Sequence, residues 1–342
     1  MTISIPAWVP RNDLSLLKWT RPNLIATKLL PTLTLAKKQD VVVYMPQRDN
    51  ALAVQTGRAM GGAFQLNTIA NVREPVDLTA SEVAFTDIKD LSDVTEMGDL
   101  EVSMRQLAFQ GKPAVAYDIE TRLAKALMDG KTAIATSGEV ELIKTLREKR
   151  QVVASQLGDG MIVAAMSQAT FNTVIMMAEV QKQIGKAVSI PVSQAVSAAN
   201  LARIQLAAIL GVDEVLVGQN RAWMAATITQ KDAILIACIP EPGVDPKIAV
   251  QLGRAATFVN YVSEPTPSDG NMGKTDYDEA YMITGSMSSK QYATPFVCSQ
   301  WAYGAGGAVA LTIQSFVEPV IFNSNLFEVV ALPAGYSNSA SL

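Results

Sequence analysis

The chain of 342 residues contains no histidine. That absence removes the commonest general base and the commonest metal ligand, and it excludes every Ser-His-Asp or Cys-His arrangement. Cysteine is nearly as scarce: Cys238 and Cys298 are the only two. They lie far apart in apolar, strand-like surroundings and read as buried free thiols, compatible with a reducing compartment, rather than as a disulfide framework. No stretch reaches about eighteen apolar residues without a polar break. The N-terminus, MTISIPAWVPRNDLSLLKW, lacks the continuous apolar run of a signal peptide. A chain that neither spans a membrane nor carries a visible export signal is expected.

Catalytic motifs are missing as well. There is no P-loop and no G-x-S-x-G elbow. Gly304-Ala305-Gly306-Gly307 is the nearest approach to a dinucleotide fingerprint, but the third glycine position falls on Val309 in a β-rich region. Asp276 and Asp278 form an acid pair of the kind glycosidases use, yet exposed acids are overwhelmingly solvated or structural. The sequence therefore assigns no catalytic, cofactor-binding or metal-ligating residue, and no cofactor.

Apolar residues make up 49% of the chain and charged residues 18%, which suits a protein that buries much surface internally or against copies of itself. The length exceeds one compact core, so two lobes, or one with long extensions, are expected. Net charge is −4, unevenly spread. Arg11, Lys18, Arg21, Lys28, Lys37 and Lys38 face only Asp13 and Asp40 in the first forty residues, giving +4 there and −8 beyond. A basic arm on an acidic body suits docking on neighbouring subunits or lying near nucleic acid; a solvated terminus is the plainer reading.

Met1 to Gln39 reads as an extended arm, because Pro6, Pro10, Pro22 and Pro31 deny it a long helix and Trp8 and Trp19 give it apolar anchors. Asp40 to Pro46 is a strand. The glycine-rich run past Gly57, Gly61 and Gly62 reads as a two-stranded excursion, and strand-like alternation returns near Val83 to Ile88. Ala108 to Gly130 turns helical on Val115, Ile119 and Leu123. A second amphipathic helix spans Ser137 to Gly158, with Ser137 as cap and Val140, Ile143, Leu146 and Val153 inward. Met161 to Met166 is a buried strand, and Ala169 to Ile184 a third helix whose Met176 and Met177 read as core packing.

Ser197 to Gly218, SAANLARIQLAAILGVDEVLVG, carries the most information. Ser197 is placed to cap a helix on which Leu201, Ile204 and Ala208 recur at helical spacing; Gly211 offers a left-handed stop, and Val215-Leu216-Val217 is a strand. Asp232 to Pro240 is a central strand, since a near-continuous apolar run implies cover on both faces. Ala255 to Val262 is strand-like, Glu264 to Lys274 is a turn-rich loop, and β segments follow at Tyr281 to Thr284, Thr294 to Cys298, Ala308 to Phe316 and Val329 to Leu332.

This order, together with Leu201-Ala202 and the step Leu210-Gly211-Val212-Asp213-Glu214-Val215-Leu216-Val217-Gly218, resembles the major capsid proteins of tailed bacteriophages, whose axial domain often carries a similar step. The resemblance implies an α+β Hong Kong 97-type fold with an N-terminal arm (1–39), an extended loop (40–80) and a first part of the peripheral domain (81–136) holding a spine helix at about 108–129. An inserted α/β axial domain (137–254) and a second part of the peripheral domain (255–342) follow. The tryptophan-containing stretch usual between spine and axial helix is replaced here by Lys131 to Gly138.

The implied function is a structural, non-enzymatic subunit that self-assembles into an icosahedral head around double-stranded DNA, without reading its sequence and without a membrane. The implied partners are copies of itself as hexamers and pentamers, a portal protein, a separate scaffolding protein and decoration proteins. The implied location is the virion, assembled in the host bacterial cytoplasm. Some relatives join subunits by a Lys to Asn isopeptide bond, which draws attention to Lys37 and Lys38, although a solvated lysine is the plainer reading. Two alternatives stay open: a nanocompartment shell of the encapsulin kind, and an α/β enzyme built on the Ser137 to Pro240 lobe.

Overall fold

The computed structural model describes residues 8–44, 72–86, 97–156, 160–184, 198–240, 252–263, 282–286, 289–303 and 308–336. Among its described residues the proline-rich N-terminal segment forms only short elements: strand β1 (Trp8–Pro10), helices α1 (Asn12–Leu16) and α2 (Ala26–Leu29), and strand β2 (Thr32–Leu35). It is not a free arm. Leu14 and Leu16 are buried, and Ile25, Ala26, Leu29 and Leu30 belong to the main core beside Leu123, Leu127, Val163 and Leu235. The segment is a strap laid across its own chain.

Strands β3 (Gln39–Tyr44) and β4 (Val72–Asp77) pair antiparallel as a two-stranded ribbon. Strand β5 (Ala80–Phe85) precedes helix α3 (Met97–Met128). That helix starts eleven residues before the expected Ala108, and it runs through Pro113. An interior proline removes a backbone hydrogen bond and costs about 3 kcal/mol. Packing offsets this: Met104, Ala108, Ala116, Ala124 and Met128 recur every fourth or eighth residue along one buried stripe. Gly111 lies where the helix crosses the sheet, and a Cβ there would collide with Ile313.

Helix α4 (Glu139–Ser155) is shorter than expected and is not capped by Ser137; instead the Glu141 carboxylate accepts from the Ser137 amide at 2.8 Å. Ile143, Leu146 and Val153 face inward as read, but Val140 points out, 67% exposed. Strand β6 (Met161–Ser167) follows. The expected third helix is two, α5 (Gln168–Met176) and α6 (Ala178–Ile184), broken where Met177 turns extended at φ −61°, ψ 137°. Only Met177 is core; Met176 is 77% exposed. The break is held by tertiary contact, since the Glu139 carboxylate of α4 accepts the Glu179 amide at 2.7 Å and so caps α6.

Helix α7 (Ala198–Leu210) turns its Leu206, Ala207, Ile209 and Leu210 inward, whereas Ile204 is 50% exposed and Ala208 also faces out. The Leu201, Ile204, Ala208 stripe is thus the wrong side of the helix, and the Ser197 cap lies outside the described residues. The stop is as read. Gly211 takes φ 71°, and the Val212 amide reaches back to the Ala207 carbonyl at 3.0 Å, which ties off the orphaned carbonyls of the last turn. Strand β7 (Glu214–Gly218), helix α8 (Asn220–Trp223) and strand β8 (Ala233–Ile239) complete this lobe's run of elements.

The expected strand from Ala255 to Val262 is two, β9 (Gly253–Phe258) and β10 (Asn260–Ser263), in different sheets. Strands β11 (Met282–Ser286), β12 (Ser289–Thr294), β13 (Val297–Tyr303), β14 (Ala308–Ile321) and β15 (Phe327–Ala331) follow. The Glu264 to Lys274 loop, Gly304, Gly306 and Gly307, and the glycine-rich excursion past Gly57 lie outside the described residues.

One sheet runs β1-β13-β14-β9-β2, with β5 also on β14. The fourteen-residue β14 is its axis: Leu311 to Phe316 pair with β5, and Val317 to Ile321 pair with β9. Another runs β15-β8-β6-β7, and a third β10-β12-β11. Strand β15 therefore pairs with β8, and the segment read as Val329 to Leu332 of the later β-rich lobe closes the edge of the earlier sheet. Strand β8 is buried at every residue. Its Leu235, Ala237 and Ile239 face α3 and the strap, while Ile234, Ile236 and Cys238 face α4, α5 and α7. Cover on both faces is what its unbroken apolar run demanded.

Candidate functional site

The spine helix α3 carries two buried ionisable side chains inside its apolar stripe, Lys112 and Glu120, two helical turns apart. Lys112 Nζ donates to the Ser15 and Leu17 carbonyls, at 2.9 and 2.6 Å, just where α1 ends. Glu120 Oε1 accepts the Ile25 and Ala26 amides, both at 2.9 Å, where α2 begins. A cation at a helix C-terminus and an anion at an N-terminus each match the sign of the backbone groups left unpaired there. Glu120 Oε1 also accepts the Trp223 indole N–H at 2.8 Å. Burial raises the Glu120 pKa above 4.5, and the three neutral N–H donors oppose that shift.

Among the described residues these contacts of both groups are structural, to backbone of the N-terminal strap and to the Trp223 indole. Both thiols are buried, and burial pushes each pKa up to about 11, so neither is an activated nucleophile. Among the described residues no three of Asp, Glu and Cys gather as metal ligands. No helix there is long and apolar enough to cross a membrane. A cleft of about 240 Å³ between α4 and α6, lined by Val140, Lys144, Arg147 and Glu179, is open and mixed in charge.

Asp213 and Glu214 lead into β7 as expected. Asp213 accepts the Ile162 amide at 2.7 Å while its own amide donates to the Ile162 carbonyl at 2.8 Å, stitching β7 to β6. Glu214 lies 3.9 Å from Lys28 of the strap. Lys38 sits 3.6 Å above the Phe316 ring, a cation–π contact at the root of the ribbon rather than a freely solvated ammonium. Asp276 and Asp278 lie outside the described residues. The sequence reading missed Lys112 and Glu120, although charged residues eight apart within an apolar helical stripe were a visible signal.

What the surface does offer is apolar. Val41 and Val43 on β3 are 49% and 54% exposed, next to exposed Pro75 on β4, while Val42 and Val76 face the core. The outward face of the ribbon thus sets Val41, Val43 and Pro75 among the exposed Gln39, Arg73 and Asp77, and among the described residues nothing covers its valines.

No known sequence family matches the chain, and no curated protein is similar to it in sequence. Solved structures are similar in fold. A phage-related protein from Bordetella bronchiseptica RB50 is 11% identical and superposes with a TM-score of 0.54 over 95% of this chain and 98% of that one. The capsid of the cyanophage P-SCSP1u gives a TM-score of 0.49 at 9% identity over 92% and 90% of the two chains. The virus-like particle from Pyrococcus furiosus gives 0.45 at 9% identity over 91% and 92%. The fold is the α+β, Hong Kong 97-type architecture that the sequence resemblance implied.

Proposed function

We propose that this chain is the major capsid protein of a tailed bacteriophage, a structural subunit of the icosahedral head shell that encloses double-stranded DNA. The observation that carries this reading is the likeness in fold to the phage-related protein, which spans nearly all of both chains. The exposed Val41, Val43 and Pro75 on the ribbon, set among Gln39, Arg73 and Asp77, support it, because apolar side chains on an exposed ribbon are a hazard in a lone subunit and a contact in an assembly. Residues 1–39, 40–80, 81–136, 137–254 and 255–342 then take the roles of arm, extended loop, first peripheral part, axial domain and second peripheral part.

Many individually modest contacts, each to a different neighbour, become strong when engaged together, and a closed shell needs such heterologous contacts. Self-association into hexamers and pentamers, with a portal protein, a separate scaffolding protein and decoration proteins as partners, follows from this reading. So does a place in the virion after assembly in the host cytoplasm. Electron microscopy and light scattering on the expressed chain, with and without a co-expressed scaffolding protein, test it. Rings or closed shells are the expected result. A monomer in both settings that turns over a small molecule overturns the reading. Shells that package a cargo enzyme instead of DNA transfer it to the nanocompartment class, which the same fold serves equally well.

A further inference from the structure

Three segments distant in sequence meet at one carboxylate oxygen. Glu120 Oε1, on the spine, takes the amides of Ile25, the N-cap of α2, and of Ala26, its first residue, from the strap and the indole N–H of Trp223 from the end of α8. Helix α2 has four residues and cannot persist in water by itself, so its start depends on what holds those amides. Trp223 is itself fixed from the other side. Gly218 at the end of β7 leaves no room for a Cβ against the indole. In the same turn Gln219 accepts the Tyr117 hydroxyl of the spine, and Arg221 lies 4.8 Å from the Tyr117 ring.

We propose that Glu120 is a positioning residue that couples the N-terminal strap to the β7–α8 turn, so that displacement of either is transmitted to the other through this carboxylate. Its three donors are neutral N–H groups, so the buried acceptor is shared rather than matched by a cation. When one donor leaves, the carboxylate loses part of its compensation for burial and its grip on the remaining two changes. The strap and the turn respond as one unit. The coupling stands on these contacts alone and does not depend on the shell reading.

Amide hydrogen exchange on the full-length chain carrying Trp223→Phe tests it, because that variant deletes the indole donor and touches neither strap amide. Exchange at Ile25 and Ala26 is expected to rise about tenfold relative to the remaining core amides, the loss expected for one hydrogen bond to an ionised acceptor. Ile228→Val, in the same core but without a polar atom, controls for general loosening and should leave that ratio unchanged. A rise confined to residues 219–224, or an equal rise in Ile228→Val, overturns the coupling. Should Trp223→Phe fail to fold, Gly218→Ala decides, because its Cβ displaces the Trp223 indole without touching Glu120 or the strap. The Trp223 indole proton and the Ile25 and Ala26 amides then shift and exchange together if coupled. A change at one group alone refutes the proposal.

Discussion

The four-stranded sheet is built from almost wholly apolar strands, whereas the two-stranded ribbon sets Gln39, Asp40, Arg73, Glu74 and Asp77 among its valines, and the two end differently. Strand β8 is covered on both faces, by α3 and the strap on one side and by α4, α5 and α7 on the other. Strand β3 buries Val42 and leaves Val41 and Val43 outside. The first region completes its core within one chain. The second leaves Val41, Val43 and Pro75 exposed beside Arg73 and Asp77, a small apolar patch with no cover among the described residues.

The largest test of that contrast is removal of residues 1–35. An extended arm of the kind read in Met1 to Gln39 would be dispensable for the fold of the Ser137 to Pro240 lobe. The structure predicts otherwise, since Ile25, Leu29 and Leu30 are fully buried against that lobe's sheet. Burying three such side chains is worth about 5–9 kcal/mol, comparable to the whole stability of an ordinary domain. The truncated chain should lose its cooperative urea transition; a native-like circular dichroism melt would contradict the strap assignment.

Next in size is Ile236→Ala on β8, where the side chain has no exposure and the site has little freedom to collapse. A loss of about 2–5 kcal/mol is expected from chemical denaturation. A loss under about 1 kcal/mol would show that the sheet is less tightly covered than described.

Glu120→Gln should act through pH. Burial raises the folded-state pKa of Glu120 above the unfolded value of 4.5, so the folded chain holds that proton more tightly. The resulting stabilisation is fully present below 4.5 and is lost as pH rises through the folded-state value. Denaturation curves from about pH 4 to about pH 8 should therefore show wild type losing ground to the variant as pH rises. A difference independent of pH would remove Glu120 from that account.

The smallest effect on the subunit is expected from the double variant Val41→Thr, Val43→Thr, which keeps the β-branched shape on exposed positions. Subunit stability should stay within about 0.5 kcal/mol. Assembly yield, read by light scattering, should fall sharply. Unchanged assembly would mean that the ribbon's outer face needs no partner.

Local signals were legible where they were strong and short. Gly211 with its left-handed turn, the unbroken run of β8 and the buried thiols at Cys238 and Cys298 all follow from residue chemistry within a few positions. The early start of α3 was hidden because Gly98, Asp99, Glu101, Ser103 and Arg105 interrupt the apolar spacing ahead of Ala108. The break at Met177 was hidden because the group that caps α6 is Glu139, some forty residues earlier. The inward face of α7 was misread because that helix is apolar nearly all round, so spacing alone did not choose a side.

By itself the sequence determined the chemistry this protein lacks and the small elements it must form, because missing histidine, glycine stops and apolar runs act locally. Only the tertiary structure decided that the N-terminal segment is a strap within its own core, that β15 closes the sheet of β8, and that Lys112 and Glu120 hold the strap's helix ends. Those outcomes depend on contacts between residues about ninety or more positions apart, whose energies no local pattern records.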